Sequence, residues 1–161
     1  MIKKLAGIVG LAFMVVIMLA SNVFSIVHLC DIQFNFDFTY ILYLNTQNFE
    51  HPHADVTKNG SGLIVRTSGE HALQVATAAQ VFSGEAMEFD AIWLDEALNT
   101  LNNRLNMSPV NSYTVGDIQI FNYFSSKLST FVTVDGQRSN IQVAIREDRV
   151  VIGIPMILHS F

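Results

Sequence analysis

RSNIQVAIREDRVVIGIPMILHSF, residues 138–161, is the stretch whose reading decides the fold. Ile141, Val143 and Ile145 alternate with Gln142 and Arg146, and after Glu147-Asp148 the alternation resumes with Val150, Ile152 and Ile154. Side chains of a strand point alternately to its two faces, so this period predicts two half-buried antiparallel strands joined by a tight reversal. Pro155 lacks the N–H that a central ladder needs, and the last strand is expected to end there or to lie at an edge. Just upstream, Asp135-Gly136 stands between alternating segments, and both residues tolerate the positive φ of a two-residue hairpin turn. The C-terminal third therefore predicts a three-stranded antiparallel meander, preceded by one strand in YTVGDIQIFNYF (113–124) with both faces partly covered.

Working back toward the N-terminus, IQFNFDFTYILYLN (32–45) sets Ile32, Phe34, Phe36, Phe38 and Tyr40 on one side and predicts a single half-buried strand that becomes apolar on both faces from Ile41 to Leu44. NFEHPHADVTKNGSG (48–62) reads as a loop with a turn at Asn59-Gly60, leading into a short strand LIVRT (63–67). SGEHALQVATAAQVFSG (68–84) predicts a helix capped by Ser68 and closed by Gly84, with Ala72, Val75, Ala76, Ala79 and Phe82 on one face. DAIWLDEALNTLNNRLN (90–106) predicts a second helix with Leu94, Ala97, Leu98, Leu101 and Leu105 as its apolar stripe. Its acids come early and Arg104 late, as the helix dipole favours. Strands mixed with two amphipathic helices define an α+β class, an antiparallel sheet covered on one face by about two helices. The two halves have similar content, with no fixed-period repeat between them.

The first residues have the layout of an export signal, Lys3 and Lys4 followed by an uncharged apolar stretch from Leu5 to Ala20. Small residues suit cleavage before Ile26 or before Asn22, which makes residues 1–25 a signal peptide; an uncleaved anchor running to Leu29 is the alternative, since roughly 20 apolar residues span a bilayer. Residues 26–161 then form a single α+β domain outside the cytoplasm, secreted or anchored, and any membrane contact is through the N-terminal segment alone. Cys30 is the one cysteine, so stability is expected from packing rather than from an internal disulfide. Without Lys3 and Lys4, seven basic residues of the chain's nine stand against fourteen acidic ones, a balance that argues against a nucleic-acid partner.

Chemistry-bearing clusters are few. In EHPHAD (50–55), His51, His53 and Asp55 would project from one side of an extended segment, a ligand set that suits zinc or another transition metal and would serve a metal-dependent hydrolase. The same spacing also suits a solvated turn. Ser68 with His71 reads as a helix start, and His28 with Cys30 as flanks of the export segment facing no cleft. Glu85 and Glu88 read as a solvated helix border, and Trp93 with the phenylalanines at 34–38 as core. No phosphate-binding loop, dinucleotide fingerprint or thiol pair is present, and no cofactor is expected.

The opening stretch also resembles the C-terminal signature of the YwmB-like exported proteins of spore-forming bacteria. The resemblance rests on Asn140, Ile141, Gln142, Arg146, Gly153, Pro155 and Phe161, and on the upstream order of a Leu-rich helix, a strand and the segment YFSSKL (123–128). It departs from the family at Ile154 and Phe161, where Thr and Tyr are usual. The resemblance implies a fold similar to the TATA-box-binding protein, a curved antiparallel sheet with helices on its convex side. It implies no activity and transfers no catalytic residue. DNA binding does not follow from it, because the exported body is acidic. The expectation is a non-enzymatic extracytoplasmic binding or structural module meeting an envelope partner or ligand, with the metal-dependent hydrolase and a membrane-tethered scaffold as alternatives.

Overall fold

The computed structural model describes residues 27–159. The expected signal peptide, residues 1–25, and Phe161 of the C-terminal signature lie outside the described residues. Ten strands and two helices follow in chain order: β1 Thr39–Leu44, β2 Asp55–Asn59, β3 Gly62–Ser68, α1 Ala72–Ala79, β4 Gly84–Asp90, α2 Leu94–Leu105, β5 Ser108–Val115, β6 Ile118–Phe124, β7 Val132–Val134, β8 Gln137–Ser139, β9 Ile141–Arg146 and β10 Arg149–Ile154. Eight strands form one sheet in the order β2-β3-β1-β4-β10-β9-β6-β5, and β7 with β8 forms a separate two-stranded ribbon. Every pairing is antiparallel. The class is α+β, as the alternation predicts. The first half of the chain, β1–β4 with α1, meets the second half along the β4·β10 ladder, Glu85↔Ile154 through Asp90↔Arg149.

Four two-residue reversals shape the ribbon and the sheet, and each begins with a residue at positive φ: Gly60, Gly116, Asp135 and Glu147. Positive φ gives the turn a twist that matches the strands on either side. Asp135-Gly136 and Glu147-Asp148 turn where expected. Gly116-Asp117 also turns, so YTVGDIQIFNYF contributes the end of β5 and all of β6 rather than one strand. The expected three-stranded meander is likewise split: β8 pairs only with β7, and β9 lies between β6 and β10.

One face of the sheet carries both helices. Tyr40, Leu42, Val65, Met87, Ile141, Val143, Val150 and Ile152 from the strands, Val75 and Ala76 from α1, and Ala97, Leu101 and Leu105 from α2 form one buried cluster. The α2 stripe is the predicted one. Asn106 at φ 53° ends that helix, and the Asn102 side chain accepts from Met107 N–H at 3.1 Å. Helix α1 is shorter than predicted. Ser68 makes no side-chain cap, and a 3₁₀ turn, Gly69–His71, leads into the α-helix. Beyond Gln80 the chain reaches β4, which the sequence reading left without an element.

The expected strand from Ile32 keeps only its C-terminal half. On both sides β1 pairs no further back than Thr39, opposite Ser68 and Glu88. β3 gives way there to the Gly69 turn, whose N–H donates to Phe38 O at 2.8 Å, so residues 32–38 lose that neighbour, and they form no ladder with the last residues of β4. Their phenylalanines instead gather into a ring cluster. Phe36 stacks on Trp93 with centroids 5.6 Å apart and meets Phe89 at 5.1 Å, while Phe34 lies edge-on to Phe38 at 5.5 Å. A Cβ at Gly69 would come within 2.5 Å of the Phe38 ring, so glycine there makes room for this arrangement.

Truncating the buried Leu101 to Ala is expected to cost about 2–5 kcal/mol. Ile92→Ala, at a side chain 77% exposed, should stay within about 0.5 kcal/mol. Urea unfolding of the two variants side by side checks the assignment of faces.

Candidate functional site

Glu85 is the most deeply buried carboxyl of the described residues, 2% exposed. Being opposite Leu42 and Ile154 in the ladders fixes its side chain on the helix-bearing face. Three donors converge on it. Tyr40 OH at 2.6 Å and Leu29 N–H at 3.0 Å reach Oε2, and His28 Nδ1 at 3.2 Å reaches Oε1. This is the environment a buried carboxylate needs, since it can only accept. The hydrogen bond to Glu85 raises the His28 pKa above 6.5 against the opposing effect of burial. Burial and Glu85 together push the Tyr40 hydroxyl upward. Cys30 beside them is held protonated, its thiol pushed up to about 11 mainly by burial, so it offers no nucleophile at neutral pH.

The cluster therefore works as an anchor, pinning the segment 28–31 to the sheet with its lone pairs already engaged. It also borders a cavity of about 160 Å³ lined by His28, Phe82, Leu128, Ile154 and Pro155. Two expectations are corrected here. Glu85 and Glu88 lie on strand β4, not on a helix border: Glu85 is buried, and Glu88 is half-buried on the opposite face, 3.2 Å from Arg149. His28 pairs with Glu85 and faces a cavity. The signal for Glu85 was present in EAMEFD (85–90), where it shares a strand face with Met87 and Phe89.

Two larger concavities adjoin each other across Phe38. The first, about 560 Å³, is walled by Phe34, Phe36, Phe38 and Leu73, with Asp37 and Glu70 among its polar lining. The second, about 630 Å³, shares Asp37, Phe38 and Ser68 and adds His53, Asp55 and Arg66. Among the described residues, Asp37, Asp55 and Glu70 enter no ion pair, and the first cleft has no basic side chain in its lining. The first cleft is thus aromatic-walled and negative in sign, and it continues past Phe38 into the second, where Asp37, Asp55 and Glu88 stand beside Arg66.

Of the predicted metal ligands, His53 and Asp55 line the second cleft, and the His51 ring lies 5.8 Å from that of His53. His51 stacks near Phe49 with centroids 6.4 Å apart, and its Nδ1 accepts from His53 N–H at 3.2 Å. The His53 ring lies against His71, centroids 4.0 Å apart, a neighbour brought by the start of α1 and invisible in the local spacing. Asp55 opens β2 opposite Arg66. Among the described residues no group of three His, Cys, Asp or Glu side chains is arranged to hold a metal ion.

The signature residues of the C-terminal half hold that half together. Asn140 accepts from Ser125 N–H and donates to Ser125 O, both at 2.8 Å. Gln142 Nε2 donates to Asn122 at 3.1 Å, and its Oε1 accepts from Ile157 N–H at 3.3 Å. Arg146 pairs with Asp117 at 2.8 Å on the exposed turn and holds that carboxyl below its usual range. A Cβ on Gly153 would lie 2.7 Å from Ile157 N, and Pro155 ends β10. No helix among the described residues is long and apolar enough to cross a membrane. Compared with known proteins, the chain matches no family model and no curated sequence.

Because the folded-state His28 pKa is raised, its pairing with Glu85 should stabilise the protein fully below pH 6.5 and lose that contribution as pH rises through the raised value. Glu85→Gln should remove this dependence, return the His28 titration toward the ordinary range, and cost about 1–3 kcal/mol for an unmatched buried donor. Imidazole NMR titrations together with urea midpoints measured from pH 5.5 to 8.5 read both effects.

Proposed function

We propose that the protein is a non-enzymatic binding module acting outside the cytoplasm, and that the groove flanking Phe38 takes a cationic ligand with an apolar stem, such as the lysine-bearing segment of an envelope partner. The observation that carries this reading is the coincidence of phenyl walls with carboxyls that lack ion-pair partners in one concave surface. An ammonium over an aromatic face gains about 0.5–2 kcal/mol, depending on its desolvation. The (CH₂)₄ stem of a lysine would cover the rings while its head meets Asp37 or Glu70. Chemistry is disfavoured at the other titratable cluster, because Glu85 is engaged by three donors and the Cys30 thiol is held protonated.

Export is supported by Lys3, Lys4 and the apolar run that follows them. The YwmB-like relationship, with its saddle similar to the TATA-box-binding protein, is supported by the signature residues, by both helices packing on one face, and by two halves that meet at a central ladder. An acidic body gives no support to a nucleic-acid partner.

Isothermal titration with tetralysine should give binding that weakens between about 50 and 300 mM salt, as expected once exposed charges are screened. Tetraglutamate should give none. Asp37→Asn with Glu70→Gln should weaken tetralysine binding several-fold, and so should Phe38→Ala. Equal affinity of wild type and the charge-neutralised variant, or no binding at low salt, would sink the reading.

A further inference from the structure

The sheet face turned away from the helices carries a second apolar cluster, Ile41, Tyr43, Ile64, Ala86 and Val151. No helix covers it. The chain's own C-terminal segment does: past Ile154 the backbone folds back over β10, and Ile157 packs against the cluster. Three features hold the segment there. Gly153 leaves the space that the Ile157 backbone enters, since a Cβ would lie 2.7 Å from Ile157 N and from Met156 C. Gln142 Oε1 accepts from Ile157 N–H at 3.3 Å. At the far end, the Tyr43 hydroxyl and His159 Nδ1 form a hydrogen bond with half-buried surroundings.

We propose that residues 155–159 are a strap over the open sheet face, closed while His159 is neutral and released when it takes up a proton, which uncovers the strip of Ile41, Tyr43, Ile64 and Val151. The Tyr43 hydroxyl could turn and accept from an imidazolium, so loss of that one hydrogen bond is not what opens the strap. The charge is. His159 feels Arg66 on β3 and Arg149 on β10, both opposing a further positive charge, and Glu88 on β4, which favours it. Glu88 is already engaged by Arg149. Burial is the largest cause, the two guanidinium groups add to it, and together they hold the His159 pKa below 6.5. Burial also pushes the Tyr43 hydroxyl up to about 12, so Tyr43 stays neutral throughout the range concerned.

The sign follows from linkage. The closed strap binds the proton less tightly than the released one, so closure is fully favoured above pH 6.5 and weakens as pH falls from there through the depressed value. Each unit of depression corresponds to about a tenfold change in the closing equilibrium.

The test is NMR on the isotope-labelled full chain from pH 8 to 4.5, following the His159 imidazole and the hydrogen-exchange protection of the Ile157 amide, normalised to its intrinsic rate. Expected is a His159 midpoint below 6.5, with a parallel several-fold loss of Ile157 protection while the Ile152 amide in β10 stays protected. His159→Phe keeps a ring and removes the titration, and its strap should remain closed at every pH. Arg66→Met leaves the strap sequence intact and should raise the His159 midpoint toward 6.5 while lessening the loss of Ile157 protection at low pH. The proposal is overturned if His159 titrates at 6.5 or above, if Ile157 and Ile152 lose protection together, or if both variants keep the wild-type profile.

Discussion

The ladder between β4 and β10 joins the two halves of the chain, and much of the rest follows from its register. Pairing Glu85 with Ile154 turns the glutamate inward, under the helices, where an unmatched carboxylate would cost several kcal/mol. Its donors come from Tyr40 on the neighbouring strand and from the 28–31 segment, whose Leu29 side chain is itself buried in the core. The segment from 32 to 38 is then suspended between that anchor and the start of β1. Its phenylalanines pack against Phe89 and Trp93, and the groove beside Phe38 is the surface that results. An interior polar contact thus determines the shape of an exterior one.

The parts of the fold readable in the sequence are those whose two faces differ. Helix α2 and strand β9 have an apolar side and a contrasting one, and the period carries the signal; β10 keeps it through Val150, Ile152 and Ile154 although Val151 is buried on the other face. β4 escaped because GEAMEFD (84–90) puts a glutamate on each face and apolar residues on both, so neither period stands out. The segment 32–38 failed in the opposite way: its alternation is strong, but a strand also needs a neighbour, and β3 has already turned into the Gly69 corner. Sequence spacing brought His51 and His53 forward as ligands, whereas His71, the ring nearest to His53, arrives from a separate element. The glycines at 69 and 153 show the same limit, since only the folded chain reveals the ring and the backbone that occupy their missing Cβ positions.

The two faces of the sheet are closed by different means. The helix-bearing face is sealed by apolar packing, aliphatic and aromatic, spread over both helices and seven of the eight strands. On the other face, a small apolar cluster sits beside a polar row, Asn111, Asn122 and Gln142, linked side chain to side chain. The C-terminal segment bridges the two regions, with Ile157 on the cluster and its N–H on the end of the polar row. Gln142, Gly153 and Pro155 thus all bear on how the chain leaves the sheet and recrosses it.

The position of β10 has a consequence for how the protein is made. The last strand of the described residues lies fourth from one edge of an eight-stranded sheet, bonded to β4 on one side and β9 on the other. Until it arrives, β4 has one open edge, and β5, β6 and β9 have no route to the first half. Chains emerge at about 5–20 residues per second, and early parts of a polypeptide often fold before the remainder appears. Here the first half can form at most a four-stranded fragment with an exposed edge until β10 follows and joins it to β9.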